Sequence, residues 1–292
     1  MPRSINQMAE RFREMLASPS VIELPGCYDA LSAMMLERSG FPCAFLSGYG
    51  VAAGMLGSPD IGLTSLCETA TAARHTAHAI SIPLVVDCDN GYGDADNVAR
   101  TVREMEHAGA AAMILEDQVL PKRCGHTSNK KIIPLDQYLR KLERALEARR
   151  TPLVIIARTD AMDLDEAINR AVAFRAAGAD ATLVDGLPSI EAARRVAREV
   201  PGPVQVNLIY GGKTPPLPAS EWWQMGFKIV LYSTPALFLC AATMLQNLRR
   251  LRETGELATI AEQSIGFREF QSFMEESYLR RHGRETGADS AG

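Results

Sequence analysis

The stretch "LVVDCDNGYGDADNVARTVREMEHAGAAAMILEDQ", residues 84–118, decides the fold of this chain. It starts with an apolar, β-branched run, passes through a glycine-rich turn into a helical pattern, and ends in a second apolar run. Neither apolar run shows the polar alternation of a strand that faces water on one side, so both strands are predicted to be buried on both faces. The stretch therefore predicts two parallel strands joined by a crossover helix.

The same unit recurs along the chain. Eight apolar runs end in polar or glycine-rich turns, and most of them precede an amphipathic helical pattern; they span residues 21–26, 43–50, 84–91, 111–118, 153–160, 181–186, 204–209 and 228–233. Eight buried strands alternating with helices predict an α/β protein with a (β/α)8 TIM barrel. The alternative is an open doubly wound sheet, which is less favoured because no GxGxxG motif follows the first strand.

A single domain is predicted for residues 1–292. The barrel is expected at about 20–255, with a helix at 4–17 before it. After it comes a helical extension at about 256–282, where "ATIAEQSIGFREFQSFMEESYLRR" predicts a long helical stretch. The final residues, 283–292, are small and polar and are predicted to be disordered.

Composition excludes several classes of protein. The net charge is −4 and no basic stripe with interleaved aromatic residues occurs, so nucleic acid is not an expected partner. The first twenty residues lack an uninterrupted apolar segment, which predicts neither a signal peptide nor a membrane span and suggests a cytoplasmic protein. The six cysteines include no CxxC pair and are expected to be free thiols. The expected partner is a small-molecule substrate.

Polar residues close the predicted strands at the end of a TIM barrel where active sites lie. Asp87 and Asp89 are two residues apart on one strand, so both carboxylates can face the same way, and Glu116 ends the next strand. An all-oxygen set of this kind favours Mg²⁺, with Mn²⁺ as the alternative ion. The alternative role for these acids is to cap helices or to lie solvated at loop ends.

The loop "PKRCGHTSNKK", residues 121–131, follows the fourth predicted strand. Cys124 lies between Arg123 and Gly125, with Lys122 and His126 next to them. Neighbouring cations lower the pKa of a thiol, so the pattern predicts a reactive group that transfers protons. The alternative is a loop cysteine without a role. The glycine and the polar residues that follow predict a mobile segment that closes over a site and excludes water.

Arg158 ends the fifth predicted strand. A guanidinium at this position is suited to binding a substrate carboxylate through paired hydrogen bonds. The alternative is a structural ion pair with Asp160 or Glu116. The segment "NLIYGGKTPP", residues 207–216, follows the seventh strand, where barrels often bind phosphate or carboxylate through loop amides.

Several of these segments resemble one known family. They are "YDALSA", "LSGYGVAAGMLGSPDIG", "VVDCDNGYGDADNVARTV", "LEDQVLPKRCGH", "IIARTDA" and "GGKTP". Together they resemble the isocitrate lyase/phosphoenolpyruvate mutase superfamily, in particular its 2-methylisocitrate lyase, 2,3-dimethylmalate lyase and carboxyphosphonoenolpyruvate phosphonomutase branches. The KRCGH loop after an ED pair is the most specific of these matches.

The resemblance implies roles for individual residues. Asp87 and Asp89 match magnesium ligands, with Glu116 in the ligand shell partly through water. Cys124 matches the general acid of the lyases on a gating loop. Ser47 and Gly48 match contacts to the 2-oxo acid part of the ligand, Arg158 matches a carboxylate-binding residue and Asp60 matches another acid near the site. The further candidates are Arg158, Lys122 and His126 for catalysis, and Tyr49, Gly125, Asp185 and Asn207 for substrate contacts.

The resemblance also implies an activity and an assembly. The activity is Mg²⁺-dependent carbon–carbon cleavage of a 2,3-dimethylmalate-like or 2-methylisocitrate-like 2-hydroxy acid, by retro-aldol chemistry, to a 2-oxo acid and a carboxylate. The alternatives are phosphoryl transfer as in the phosphonomutases and oxaloacetate decarboxylation. The assembly is a homotetramer that exchanges C-terminal helices between subunits.

Three departures from the family pattern bear on the substrate. Phe45 stands where the methylisocitrate and isocitrate lyases have a tyrosine, with Tyr49 as the nearby alternative hydroxyl. Asp185 replaces the usual glutamate after the sixth strand. Phe267, next to Arg268, aligns with the arginine that holds the extra carboxylate of methylisocitrate. These departures favour a substituted malate over a tricarboxylate.

Overall fold

The computed structural model describes residues 5–127 and 129–282, which form eight strands, eleven α-helices and one 3₁₀ helix. The strands are β1 (Ile22–Cys27), β2 (Ala44–Leu46), β3 (Leu84–Asp87), β4 (Ala112–Glu116), β5 (Val154–Thr159), β6 (Ala181–Val184), β7 (Val204–Leu208) and β8 (Ile229–Tyr232). The helices are α1 (Ile5–Ala17), α2 (Ala30–Arg38), α3 (Gly48–Leu56), α4 (Leu66–Ala79), α5 (Ala95–Ala108), α6 (Leu135–Ala148), α7 (Leu164–Ala176), α8 (Ile190–Glu199), α9 (Ala219–Met225), α10 (Pro235–Thr254) and α11 (Phe267–His282), with the 3₁₀ helix at Leu257–Gln263.

The eight strands form a closed parallel barrel. Each strand pairs with the next along the chain, and β8 pairs with β1. The predicted TIM barrel is therefore confirmed, and the open doubly wound sheet is excluded because a closed barrel has no sheet edge. The register places Glu116 of β4 opposite Arg158 of β5, so these two residues are neighbours at the same height in the barrel.

The barrel interior is an apolar layer below a polar one. Inward-facing apolar side chains form one buried cluster, including Val85, Ile114, Ile156, Leu183 and Leu231. Because alternate residues of a strand point to the same face, the residue two positions further on each strand also points inward. Those residues are Asp87, Glu116, Arg158, Asp185 and Ser233.

Helix α1 closes the amino-terminal end of the barrel. Phe12 is fully buried in the interior cluster. The Arg13 guanidinium donates to the carbonyl oxygens of Pro152 at 2.6 Å and Leu153 at 3.1 Å, and it pairs with Asp180 at 3.0 Å. These acceptors lie just before β5 and β6 and would otherwise face water. The helix predicted before the barrel thus seals the end opposite to the polar layer.

The C-terminal part differs from its prediction in one respect. The stretch at 258–281 is not a single helix, because the 3₁₀ helix ends at Gln263 and the chain is extended at Ser264, with φ −120° and ψ 143°. Gly266 lies in the same break, and glycine stabilises a helix interior poorly. The chain divides into two compact units, one ending at Leu237 and one beginning at Phe238. The predicted disorder of 283–292 lies outside the described residues.

The cysteines and the helix lengths can also be compared with the predictions. All six cysteines are free thiols, as predicted. Within the described residues, every helix is too short or too polar to span a bilayer.

Phe12 offers a test of the closing helix. Phe12→Ala removes a fully buried ring from the barrel interior, so it is expected to lower the free energy of unfolding by about 3–5 kcal/mol. The measurement is urea denaturation followed by circular dichroism. Met55→Ala, at a position that is 51% exposed, is the control and should stay within about 0.5 kcal/mol of the wild type. Equal losses in the two variants would contradict the sealing role of Phe12.

Candidate active site

The polar layer surrounds a cavity at the carboxyl ends of the strands. Its empty space is about 390 Å³. Nine of the predicted site residues line it: Ser47, Tyr49, Asp60, Asp87, Cys124, Gly125, Arg158, Asp185 and Asn207. The other five, Gly48, Asp89, Glu116, Lys122 and His126, contact lining residues from outside the cavity wall. The structure therefore brings all the predicted residues into one region.

The start of α3 forms one wall of the cavity. Ser47 caps this helix by accepting a hydrogen bond from the Gly50 amide at 3.3 Å. The amide of Gly48, the residue after Ser47, donates to Asp87 Oδ2 at 3.3 Å. A Cβ atom at Gly48 would lie 2.9 Å from the same oxygen, so a larger residue would displace the Asp87 carboxylate. Residues 47 and 48 thus fix the Asp87 carboxylate through the backbone.

An acidic cluster lies beside this wall, with one ammonium group inside it. Lys122 Nζ is 2.9 Å from Asp60 Oδ1 and also contacts Asp89 Oδ1. Burial opposes the charge of Lys122, but Asp89 and Glu116 outweigh it and raise the pKa of the ammonium well above its usual value. Lys122 is therefore a fixed cation and not a proton acceptor at neutral pH.

The acids of this cluster are hard to ionise without further positive charge. Burial raises the pKa of Asp89 to about 6 despite the opposing charge of Lys122. Burial also raises the pKa of Glu116 well above its usual value. Glu116 Oε1 is buried and has no hydrogen-bond partner among the described residues. The cluster thus has unsatisfied capacity for a cation.

The carboxylate oxygens of the cluster are suited to Mg²⁺, but three of the described side chains do not converge on one point where an ion could bind. Carboxylate oxygens are the ligands this ion prefers, and the orphaned Glu116 Oε1 is such an oxygen. No three His, Cys, Asp or Glu side chains of the described residues are close enough together to hold an ion. Mg²⁺ usually keeps several waters and uses one or two protein carboxylates, which is compatible with Asp87 and Asp89. The predicted ligand trio stays a prediction.

The thiol behaves differently from its prediction. Neighbouring cations were expected to lower the pKa of Cys124, and this is wrong. Burial raises the pKa of the thiol, and the charges of Asp185 and Asp60 act in the same direction, against the His126 amide and Arg158. Lys122 pairs with acids instead of with the thiol. Cys124 therefore keeps its proton at neutral pH while it lines the cavity.

Three carboxylates surround the Arg158 guanidinium. Asp160 accepts from Nε at 2.8 Å and from Nη2 at 3.0 Å. Nη2 also lies 2.8 Å from Asp185 Oδ2 and 3.3 Å from Glu116 Oε2. The structural ion pairs that the sequence offered as an alternative role are thus present, and Arg158 also lines the cavity.

A chain of polar contacts connects the loop to the ends of β7 and β8. Asn207 donates to Asp185 Oδ1 at 2.9 Å and accepts from Ser233. His126 Nδ1 accepts from the Lys213 amide at 3.0 Å, while Nε2 faces Asp185 Oδ1 at 3.5 Å and Asn207 Nδ2 at 3.3 Å. Burial opposes the ionisation of Asp185, yet Arg158 and His126 outweigh it and hold its pKa well below the usual range.

The structure adds residues that the sequence did not single out for the site. Ser233 lines the cavity at the end of β8, and the alternation of inward residues along "KIVLYS" could have identified it. Lys130 donates to Asp160 at 2.9 Å, a contact across thirty residues that no local pattern predicts. Tyr49 and Phe45 both line the cavity, and the role of Tyr49 as the alternative hydroxyl stays a prediction. Phe267, at the family's arginine position, is 83% exposed.

A closed parallel barrel with an acidic cluster, a guanidinium and a thiol at the carboxyl ends of its strands is typical of a TIM-barrel enzyme. The sequence pattern of the phosphoenolpyruvate phosphomutase family matches residues 12–252. The chain belongs to this family, within the phosphoenolpyruvate mutase/isocitrate lyase superfamily, which confirms the resemblance seen in the sequence.

Two curated relatives match most of the chain. A 2,3-dimethylmalate lyase of Eubacterium barkeri is 34% identical over 285 residues, which cover 96% of this chain and 99% of the relative. A 2-methylisocitrate lyase of Bacillus subtilis (strain 168) is 36% identical over 255 residues, covering 86% and 84%. Because the relatives are lyases and mutases, the chain is an enzyme.

Two solved structures share the whole fold. Oxaloacetate acetylhydrolase in complex with the inhibitor 3,3-difluorooxalacetate superposes with a TM-score of 0.90 at 33% identity, covering 98% of this chain and 99% of that one. Phosphonopyruvate hydrolase in complex with oxalate and Mg²⁺ superposes with a TM-score of 0.83 at 25% identity, covering 94% and 96%. A divalent metal thus occurs within the superfamily.

Gly125 tests whether the loop packs against the site as the structure shows. A Cβ atom at this position would lie 1.8 Å from Asp185 Oδ2 and 2.6 Å from Arg158 Nη2. Gly125→Ala is therefore expected to displace the loop and to speed amide hydrogen exchange across residues 119–131, with little change in the exchange of the strands. Gly54→Ala is the matched control, because its Cβ would meet only Tyr28 at 3.4 Å. Unchanged exchange in the Gly125 variant would show that the loop packs elsewhere.

Proposed function

We propose that the chain is a Mg²⁺-dependent carbon–carbon lyase that cleaves a substituted malate into a 2-oxo acid and a carboxylate. The observation that carries the proposal is the Cys124 thiol, which lines the same cavity as Arg158 and Asp87 and whose pKa is raised by burial. Retro-aldol cleavage needs a base that takes the proton of the substrate hydroxyl, positive charge beside the carbonyl oxygen that forms, and an acid that protonates the carbanion released. Cys124 would supply the acid and Arg158 would bind a substrate carboxylate, while the carboxylates that line the cavity are the groups that would accept the hydroxyl proton.

Asp87 and Asp89 would hold the ion, with Glu116 in the surrounding shell. A bound Mg²⁺ supplies positive charge to the hydroxyl and carboxylate oxygens of the substrate half that becomes the 2-oxo acid. The protein holds this region by backbone contacts, since the Gly48 amide donates to Asp87 at 3.3 Å. Lys122 supplies a fixed positive charge beside Asp89, which lessens the mutual repulsion of the acids.

Arg158 and Cys124 would act on the two halves of the substrate. Arg158 binds the carboxylate, while Cys124 protonates the departing fragment. A general acid must carry its proton before the step, and the burial that raises the pKa of the thiol ensures this at neutral pH. Tyr49 lines the cavity near Phe45 and is the proposed hydroxyl that assists proton transfer.

The lining of the cavity favours a dicarboxylate. Arg158 is the one cationic side chain among the described residues that line it. Besides the acids Asp60, Asp87 and Asp185, the lining contains neutral polar groups and aliphatic side chains, namely Asn207, Ser233, Thr234, Leu183, Ile209 and Leu231. A third carboxylate would lack a cationic partner there, whereas methyl substituents would contact aliphatic side chains. A substituted malate fits this lining better than methylisocitrate does.

A substrate panel tests the proposal. Release of 2-oxo acid is measured from 2,3-dimethylmalate, 2-methylmalate, malate, isocitrate and 2-methylisocitrate, with Mg²⁺ and with EDTA. Cleavage of a substituted malate that EDTA abolishes and added Mg²⁺ restores is expected, because Glu116 Oε1 is a buried carboxylate oxygen without a hydrogen-bond partner beside Asp87 and Asp89. Cleavage of the tricarboxylates alone would contradict the assignment of substrate class.

Gel filtration with light scattering on the same preparation tests the proposed homotetramer.

The pH dependence tests the thiol. The pKa of Cys124 is raised above the ordinary thiol value of about 8.5, so cleavage is expected to stay level from neutral pH to about 8.5 and to fall only above it. Cys124→Ala should lower kcat by about 10²–10⁴-fold and abolish that alkaline fall. Cys67→Ala, at an exposed thiol, is the control. Full activity in the Cys124 variant would remove the thiol from the mechanism.

A second candidate is cleavage of oxaloacetate. The observation in its favour is the TM-score of 0.90 with oxaloacetate acetylhydrolase, whose inhibitor 3,3-difluorooxalacetate is also a small dicarboxylate. Adding oxaloacetate to the panel separates the outcomes, because hydrolysis yields oxalate and acetate whereas decarboxylation yields pyruvate. Phosphoryl transfer, as the family name suggests, would be detected by phosphorus NMR as a new carbon–phosphorus bond.

A further inference from the structure

Asp160 holds Arg158 from behind the cavity. Its two oxygens accept from Nε at 2.8 Å and Nη2 at 3.0 Å of the same guanidinium. A pair of parallel hydrogen bonds fixes the plane of the group as well as its position. Asp160 is buried and does not line the cavity, so it acts on the site only through its neighbours.

The backbone around Asp160 is also fixed. The Asp160 amide donates to Asp117 Oδ1 at 2.9 Å, and the Thr159 hydroxyl donates to Asp117 Oδ2 at 2.7 Å. Arg170 from α7 balances the Asp117 charge at 3.2 Å. Asp160 therefore forms a rigid support and cannot follow Arg158 if the guanidinium moves.

Lys130 adds a second cation to the same carboxylate. Its Nζ donates to Asp160 Oδ1 at 2.9 Å, and only 3% of its side chain is exposed. A lysine is rarely buried this deeply unless it is paired. The residue before it, Asn129, takes a φ of 62°, a left-handed conformation that asparagine adopts more readily than most residues. The loop is thus shaped to deliver this ammonium to Asp160.

The charges around Arg158 explain what the second cation does. Asp160, Asp185 and Glu116 all lie within 3.3 Å of the guanidinium. The two nearer carboxylates, those of Asp160 and Asp185 at 2.8 Å, already offset its single positive charge and weaken its attraction for a further anion. Arg158 Nη1 makes no hydrogen bond or ion pair with any described residue, so its donors are available to a ligand. Their attraction for a carboxylate depends on how far the surrounding acids are neutralised.

We propose that Asp160 and Lys130 are positioning residues for the ligand carboxylate: Asp160 fixes the guanidinium so that Nη1 faces the cavity, and Lys130 neutralises Asp160 so that Arg158 still attracts an anion. The inference rests on the proposed function for the carboxylate nature of the ligand. It assigns a role to Lys130 that is separate from proton transfer, because its ammonium donates to Asp160 and Lys130 does not line the cavity.

The test is ligand binding to three variants. Lys130→Met keeps the length of the side chain and removes its charge, Lys130→Arg restores a cation, and Lys131→Met is the control at an exposed neighbour. Dissociation constants for oxalate and pyruvate are measured by calorimetry with saturating Mg²⁺ and no turnover. Lys130→Met is expected to weaken both by about tenfold, the size of one lost charge interaction. Lys130→Arg should recover most of the affinity, and Lys131→Met should match the wild type.

Steady-state kinetics on the cleaved substrate add a readout that a purely structural role would not give. KM is expected to rise about tenfold in Lys130→Met while kcat stays within about twofold. Unchanged dissociation constants, a loss confined to kcat, or no recovery with arginine would overturn the inference, as would a wild type that binds neither oxalate nor pyruvate. If no malate is cleaved but the affinity pattern appears, the proposed lyase fails and the positioning role stands.

Discussion

The two-residue period of the parallel strands is the constraint on which the site depends. Val85, Ile114 and Ile156 point into the barrel interior. Because alternate residues of a strand point to the same face, the residues two positions later also point inward, at the carboxyl ends of the strands, here called the mouth of the barrel. Closure of the barrel then brings β3, β4 and β5 side by side, with Glu116 in register with Arg158. The same strand register therefore sets both the apolar layer and the polar layer. A strand shifted by one residue would turn both sets of side chains away from the barrel interior.

Charge balance is the second constraint, and the loop after β4 supplies most of it. Six carboxylates lie at the mouth, those of Asp60, Asp87, Asp89, Glu116, Asp160 and Asp185. Lys122 and Lys130 come from the loop and Arg158 from β5, so the fixed cations are fewer than the acids. Buried charges are tolerated only when they are paired, which explains why burial raises the pKa of Glu116 and Asp89. This imbalance is a physical reason to expect a divalent ion at the site.

The sequence predicted the eight strands, the acids at the ends of β3 and β4, and Arg158, because alternation and strand ends are local signals. It failed on the Cys124 pKa because adjacent cations in sequence are directed elsewhere in space, whereas burial depends on the whole fold. It missed the pairing of Lys130 with Asp160 for the same reason, since thirty residues separate them. The proposed thiol acid survives the correction, because an acid requires a protonated group.

The loop after β4 packs against the site through three basic residues, and each of them lies next to a different acid. Lys122 contacts Asp89, His126 faces Asp185, and Lys130 donates to Asp160. Displacing the loop would remove a basic partner from each of these acids, which is costly wherever the acid stays buried, so the acids themselves favour the packed position. Gly125 permits that position, because any side chain there would meet Asp185 and Arg158. Since Cys124 lies between these contacts, the loop that balances the charge of the mouth also places the thiol in the cavity.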